Sequence, residues 1–338
     1  MTAILSLCLA AILRADDWSQ WRGTHRDGVW HETGILQSFP TEGLKVPWRV
    51  PVGTGFSSPV VAQGRVYVTD SLVTRTNAHE NVRCVDAATG KTIWIHKYEV
   101  VYPEYGADPA HPFGPVATPV IAEGKIYTYG RMSDLVCLDV DPMTGRILWR
   151  QPITPWGNYA VPTPVWKDDL LLLSGLMLKL HRDEPGASIL WPDDMRPLSI
   201  YMSDTSTPLL QDGLVFCPTS KGHLLCRDAT TGKQLWQADQ ISETKSGASI
   251  HMTAVPGIRC VLLFTDRGDL ILSRLTAAGY QELGRFHLLN PTADYGQQKM
   301  AWVPPAYSGQ RVFARNDKEL VCASLASMPT NAPVKKGN

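Results

Sequence analysis

The sequence predicts an all-β fold, a β-propeller of four-stranded antiparallel blades, most simply six of them, with seven or eight left open. Three observations lead there. A hairpin motif is written three times, as CVDAATGKTIW at Cys84 to Trp94, CLDVDPMTGRILW at Cys137 to Trp149 and CRDATTGKQLW at Cys226 to Trp236. Ahead of each copy stands a second shared hairpin: SSPVVAQGRVYV from Ser57, ATPVIAEGKIYT from Ala117 and STPLLQDGLVFC from Ser206. Together they make four short strands recurring about every 46 residues, the period of propeller blades rather than of helical solenoids.

Each part of the motif has a local reason. The aspartates Asp86, Asp139 and Asp228 can accept hydrogen bonds from turn amides, and Gly90, Gly145 and Gly232 supply the positive φ that a short loop needs. The terminal Trp94, Trp149 and Trp236 are amphipathic plates that can stack on a neighbouring blade while the indole N–H finds a carbonyl. Weaker copies follow. Pro162 to Gly175 with GASILW, ending in Trp191, makes a third blade, and Thr253 to Leu275 with GYQEL makes a fifth, with Leu283 where Trp would stand. The sixth, Val303 to Leu325, lacks an outer strand. An orphan outer strand, LKVPWRV at Leu44 to Val50, carries Trp48 and is predicted to complete that last blade, closing the ring and hiding two sheet edges. Insertions at Ser71 to Asn81 and Glu99 to Pro115 leave room for a seventh sheet.

With 338 residues, 44% hydrophobic and only 19% charged, the chain can bury a large core, and 25 prolines and 27 glycines suit a fold rich in turns. The net formal charge is zero and the charges are interspersed, so no electrostatic case for nucleic acid or an anionic membrane arises. The opening MTAILSLCLAAILRA reads as a signal peptide cleaved after Ala15, with a buried strand as the alternative. That reading implies a periplasmic or secreted protein. The expected organisation is residues 1–15 signal, 16–43 an N-terminal strap, 44–325 the propeller and 326–338 a flexible tail. No stretch is long and apolar enough for a transmembrane helix, and a monomer is expected.

Cys84, Cys137, Cys226 and Cys322 fall at equivalent places in four blades, around a circle and too far apart for disulfides. They read as small buried hydrophobes. Cys217 and Cys226, on neighbouring strands of blade four, are the pair that could bridge. No CxxC and no Cys/His cluster at zinc spacing occurs.

The CxDxxTGKxxW hairpin, with DWSQWRGTHRDG at Asp17 to Gly28, HPFGPVATPV at His111 to Val120 and NDKELVCASL at Asn316 to Leu325, resembles the exported PQQ-binding-like propeller family of quinoprotein type. The resemblance covers about Asp17 to Leu325. It implies the propeller fold firmly and the activity weakly, because that family mixes dehydrogenases with assembly factors similar to the outer-membrane lipoprotein BamB. The enzymes of the family use an eight-bladed ring, a calcium beside the quinone, an Asp base and commonly a disulfide between adjacent cysteines. This chain has no adjacent cysteines, is about two blades short and offers no matching calcium set, so neither PQQ nor calcium is expected. The leading expectation is therefore an exported binding scaffold without chemistry of its own, taking a protein or small molecule at the propeller face. A PQQ-dependent alcohol or sugar dehydrogenase and a BamB-like assembly factor are the alternatives.

Candidate site residues follow from position. The innermost strands, near Ser57 and Ser58, Ala117 and Thr118, Val161 to Thr163, Thr205 to Thr207, His251 to Thr253 and Trp302 to Pro305, should line the channel, with small residues that crowding alone would also require. His251 is the titratable group best suited to act as a general base, with Asp204 a partner by topology; a hydrogen-bonded structural histidine is the plainer alternative. Arg315 could reach an anion or simply sit in a hairpin. The insertion holding Tyr102, Tyr105 and His111 could recognise a ligand or cover apolar surface. Trp18, Trp21 and Trp30, with Arg22, Arg26 and Asp27, should pack across the underside of the ring as a strap.

Overall fold

Apolar runs of three to nine residues punctuated by Gly and Asp turns leave the backbone little choice but hairpins. The computed structural model describes residues 17–73, 78–101, 114–115, 118–122, 125–128, 165–173, 176–181, 183, 187–192, 203, 205–239, 241–244, 246–295 and 297–327. After β1 (Trp48–Pro51), blade one is formed by β2 (Val60–Ala62), β3 (Arg65–Val73), β4 (Ala78–Asp86) and β5 (Thr92–Val100). Blade two is described through β6 (Val120–Ala122) and β7 (Lys125–Tyr127). Blade three is β8 (Val165–Lys167), β9 (Leu170–Leu173), β10 (Leu176–Leu180) and β11 (Ala187–Trp191). Blade four is β12 (Leu209–Gln211), β13 (Leu214–Pro218), β14 (Leu224–Asp228) and β15 (Gln234–Ala238). Blade five is β16 (Ile250–Val255), β17 (Cys260–Thr265), β18 (Asp269–Thr276) and β19 (Gly279–His287). A small hairpin of β20 (Ala293–Tyr295) and β21 (Gln298–Met300) then precedes β22 (Ala306–Ser308), β23 (Arg311–Arg315) and β24 (Glu319–Ser324).

The last sheet runs β1-β24-β23-β22, with Trp48 opposite Cys322. The orphan strand thus completes the final blade, as its sequence predicts. Innermost strands succeed one another in order: β2 lies against β22 and β6, and β12 against β8 and β16. The core is correspondingly laminar, filling the gaps between sheets. Val165, Leu172 and Met177 of blade three meet Leu210, Val215 and Leu225 of blade four. Leu209, Phe216 and Leu224 of blade four pack with Ile250, Leu263 and Ile271 of blade five.

The repeated motif is a fastener between successive blades. The Asp86 carboxylate accepts from the Ala88 and Thr89 amides at 3.1 and 2.8 Å, and Asp228 accepts from Thr230 and Thr231 at 3.0 and 2.7 Å. Gly90 and Gly232 close these turns at φ of 71° and 70°. Onto each glycine lies a Trp from the preceding sheet: Trp48 on Gly90 and Trp191 on Gly232, so close that a Cβ would stand 2.6 or 2.7 Å from the indole. The indole N–H of Trp48 donates to the Ala87 carbonyl at 3.3 Å, and that of Trp191 to the Ala229 carbonyl at 2.9 Å. Trp236 repeats the move on blade five, donating to the Thr276 carbonyl at 2.8 Å. Trp94 stands opposite Cys84 and beside Tyr67, whereas Trp149 and Gly145 lie outside the described residues. Leu283, at the place of the missing Trp, packs partly buried on the core.

One expectation needs correction. The insertion at Ser71 to Asn81 makes no seventh sheet; it lengthens the β3–β4 hairpin, pairing from Arg65↔Asp86 out to Val73↔Ala78. Cys217 and Cys226 are both free thiols: they sit in adjacent strands but are not opposite one another, Cys226 facing Phe216 and Cys217 facing Leu225. Burial pushes the Cys226 thiol up to about 11 and the Cys217 thiol up to about 12.

Candidate functional site

Hydroxyls concentrate where inner strands meet, and they lace neighbouring blades together. The Ser58 amide donates to Thr118 Oγ1 at 3.1 Å, joining blades one and two. Ser206 Oγ accepts from the Ile250 amide at 2.8 Å and lies 3.1 Å from Ser203 Oγ, joining blades four and five. Crowded backbones need short side chains, and these short side chains also satisfy amides that no strand partner can reach.

Buried carboxylates do similar work one layer out. Asp70 and Asp266 follow threonines at equivalent places after β3's midpoint and β17's end, and both are inaccessible to solvent. Asp70 accepts from the Gly53 amide at 2.8 Å and from Asn81 and Arg83. Asp266 accepts from the Ser249 amide at 3.2 Å, from Ser242 Oγ at 2.8 Å and from Thr244. Each carboxylate pins the segment that leads into an innermost strand.

Arg315 is also fully buried. Its Nε, Nη1 and Nη2 donate to the carbonyls of Asn316, Thr69 and Gly53 at 3.2, 2.6 and 2.5 Å. The guanidinium therefore ties blade six to blade one, and its fork points at backbone rather than at solvent. His251 is placed similarly. Its Nε2 stands 2.7 Å from the Trp302 carbonyl and 3.1 Å from Ser249 Oγ, and a carbonyl can only accept, so Nε2 carries the hydrogen. Burial holds this imidazole down to about 4, so it is neutral near pH 7. Asp204, Tyr102, Tyr105 and His111 lie outside the described residues.

The strap pairs with the innermost strands β2, β6 and β16. Trp18 exchanges backbone hydrogen bonds with Val61 at 2.7 and 2.9 Å, and Ser19 accepts from the Ile121 amide at 2.8 Å. Farther along, Trp30 donates to Ala254 at 2.8 Å, Leu36 donates to Leu325 at 2.9 Å, and Gly34 accepts from Ser327 at 2.7 Å. The strap thus spans blades one, two, five and six, and Ala326 and Ser327, expected in a free tail, pair with it. Trp18 and Trp30 pack on Tyr307 at 5.5 and 5.3 Å between ring centres. Behind the strap remains a cavity of about 30 Å³, bordered by Arg22, Ser58, Thr207, His251 and Thr253. A tricyclic quinone needs a pocket of a few hundred Å³ or more, so this cavity does not fit PQQ. Among the described residues, no three His, Cys, Asp or Glu side chains gather as a metal site.

Outside the channel two surfaces have a form that could engage a ligand. A cleft of about 650 Å³ opens where the strap meets the turns of blades one and six, bordered by Asp17, His25, His31, Gln63 and Arg311. At the other end of the innermost strands, Phe56, Trp302 and Tyr295 form an aromatic step, with ring centres 6.1 and 5.2 Å apart and Tyr295 42% exposed. Leu72, next to Ser71, whose backbone pairs with Thr54, is 56% exposed. Ile93 and Ile95 on β5 and Val101 beyond it are exposed too. Sequence reasoning found Trp302 but missed Phe56 and Tyr295, since a lone aromatic before a strand carries no periodic signal. It also missed the two buried aspartates, although Thr-Asp ends an apolar run in both blades.

The sequence model for a family described as the outer membrane protein assembly factor BamB matches residues 78–327. Among solved structures, BamB from Moraxella catarrhalis is 14% identical, covering 83% of this chain and 85% of that one, with a TM-score of 0.37. The quinohemoprotein alcohol dehydrogenase from Comamonas testosteroni is 14% identical over 89% of this chain and 58% of its own, with a TM-score of 0.34. The computationally designed Ika8 protein is 12% identical over 79% of this chain and 70% of its own, with a TM-score of 0.35. No curated protein matches the chain.

Proposed function

The chain belongs to the family of the outer membrane protein assembly factor BamB, and we propose that it serves as an exported scaffold that binds a protein partner without carrying out chemistry of its own. One observation carries this reading. Among the described residues six large apolar side chains stay exposed, and five of them, Leu72, Ile93, Ile95, Val101 and Tyr295, belong to the aromatic step, the lengthened blade-one hairpin and its outer strand, Leu235 on blade four being the sixth, while channel groups such as Ser206 and Arg315 are committed to holding blades together. Exposed aromatic and aliphatic side chains on a rigid scaffold are the usual anchors of protein recognition. The role for which the family is described, assembly of outer membrane proteins, is consistent with such a surface and with a periplasmic location. Among the described residues, no helix is long and apolar enough to cross a membrane.

A photo-crosslinking residue at Tyr295 or Ile95, activated in cells, tests the reading directly. Crosslinks to one protein from both positions, absent from a control at exposed Lys221, support it; labelling no different from that control overturns it. The dehydrogenase alternative is separated by adding PQQ and calcium to purified protein. An absorbance change with a shifted melting midpoint would favour the enzyme.

A further inference from the structure

The cavity behind the strap places a cation in an unusual setting. Arg22 reaches it from the strap, where its Nη2 donates to the Asp27 carbonyl at 2.9 Å and the guanidinium packs against Gly28, whose Cβ would stand 2.9 Å away. Its Nε is buried without a hydrogen-bond partner. Facing the same cavity from blade one, Ser58 is 2% exposed and its Oγ is likewise without a partner. Burial lowers the Arg22 guanidinium to about 10, which leaves it positive at neutral pH. The carboxylate acting on it, Asp27, accepts instead from the Val29 amide at 2.9 Å. Two hydrogen-bond donors, one of them charged, therefore border one small space with no carboxylate among the described residues in contact.

Buried polar atoms without partners are rare in native proteins and point to an ordered water or ion. At about 30 Å³ the cavity exceeds the roughly 10–15 Å³ that one water needs, and it gives room for a monatomic anion. Charge selects between water and anion, since a water can occupy the donors but cannot offset the guanidinium.

We propose that the cavity between the strap and the innermost strands is a chloride site, in which Arg22 Nε and Ser58 Oγ hold one halide. Bound there, the ion offsets the charge of the half-buried guanidinium and fastens the strap to the innermost strands. Chloride contacts strap and blade one together, so it binds only the docked arrangement and stabilises it by mass action. The site is independent of the partner-binding surface proposed above.

The test uses the full chain, with melting midpoints measured in sodium chloride against sodium gluconate at equal ionic strength. The wild-type midpoint should rise saturably with chloride, Ser58→Ala should weaken the apparent chloride affinity about tenfold through loss of one charge-assisted hydrogen bond, and Arg22→Gln should abolish the response. Bromide soaked into crystals should give an anomalous peak between Arg22 and Ser58. A wild-type midpoint indifferent to chloride, an unchanged chloride response in Ser58→Ala, or a cavity holding water alone in bromide would each overturn the proposal. Because Ser58→Ala removes only an unpartnered hydroxyl, it keeps the test decisive even if Arg22→Gln does not fold.

Discussion

Gly232→Ala probes the blade fastener with a number attached. Gly232 sits at φ 70°, and a Cβ there would stand 2.7 Å from Trp191 Cγ and 2.8 Å from Cδ2. Holding an L-residue in the left-handed region costs about 1–2 kcal/mol, and forcing a methyl against a packed indole costs about 1–3 kcal/mol more. The sum is about 2–5 kcal/mol. Gly213 supplies the control, since it adopts φ 73° in the same blade with nothing within 4 Å of its virtual Cβ. Gly213→Ala should therefore cost the backbone part alone, about 1–2 kcal/mol. Urea unfolding of both variants reads the difference, and Trp191→Ala in the Gly232→Ala background should recover at least about 1 kcal/mol of coupling. Equal costs for the two glycine variants, or strict additivity with Trp191→Ala, would refute the claim that blades are locked by Trp on Gly.

Ring closure should respond to Trp48 in two steps: Trp48→Phe loses the hydrogen bond to the Ala87 carbonyl and about 1 kcal/mol, whereas Trp48→Ala also opens a gap beside Phe313 and costs about 3–5 kcal/mol by urea unfolding. Turn amides and the Thr89 and Thr231 hydroxyls hold Asp86 and Asp228 below the ordinary carboxylate range. Both carboxylates therefore stabilise the native state above the unfolded value of about 3.9, and this is lost as pH falls through the lower folded value. The Asp86→Asn, Asp228→Asn double variant should accordingly lose less stability than wild type on acidification below that point. His251 has the matching sign by a different cause, because burial holds it at about 4 against an unfolded value of about 6.5, so the unfolded chain takes up the proton first. Between pH 7 and pH 5 the native state should lose about 2 kcal/mol that His251→Gln does not lose, and the imidazole should titrate near pH 4 by NMR. Arg315→Met orphans the carbonyls of Thr69, Gly53 and Asn316 and should cost at least about 3 kcal/mol in the same assay.

Nearly all of the architecture was legible in the sequence because a propeller writes it repeatedly. The CxDxxTGKxxW copies announce turn, glycine and docking Trp together, and the displaced Trp48 announces closure, since a blade that ends without its outer strand must find one elsewhere. The exceptions are insertions. Ser71 to Asn81 breaks the period, and nothing local distinguishes a longer hairpin from an additional sheet. Its lengthening follows from cross-strand pairing out to Val73↔Ala78, a nonlocal fact.

The candidate sites were far less legible. Position along the chain put His251 and Arg315 near the channel, but their roles depend on atoms arriving from other blades: the Trp302 carbonyl for the imidazole, the Thr69 and Gly53 carbonyls for the guanidinium. Arg22 illustrates the same point in reverse, for a residue read as part of a packing strap comes to face an unpartnered serine across a cavity. What the sequence alone determined is whatever recurs within one blade, because turn geometry, strand alternation and the docking plate act over a few residues and repeat. What only the tertiary structure decided is which polar groups are already satisfied, because that depends on distances between blades that no local pattern encodes.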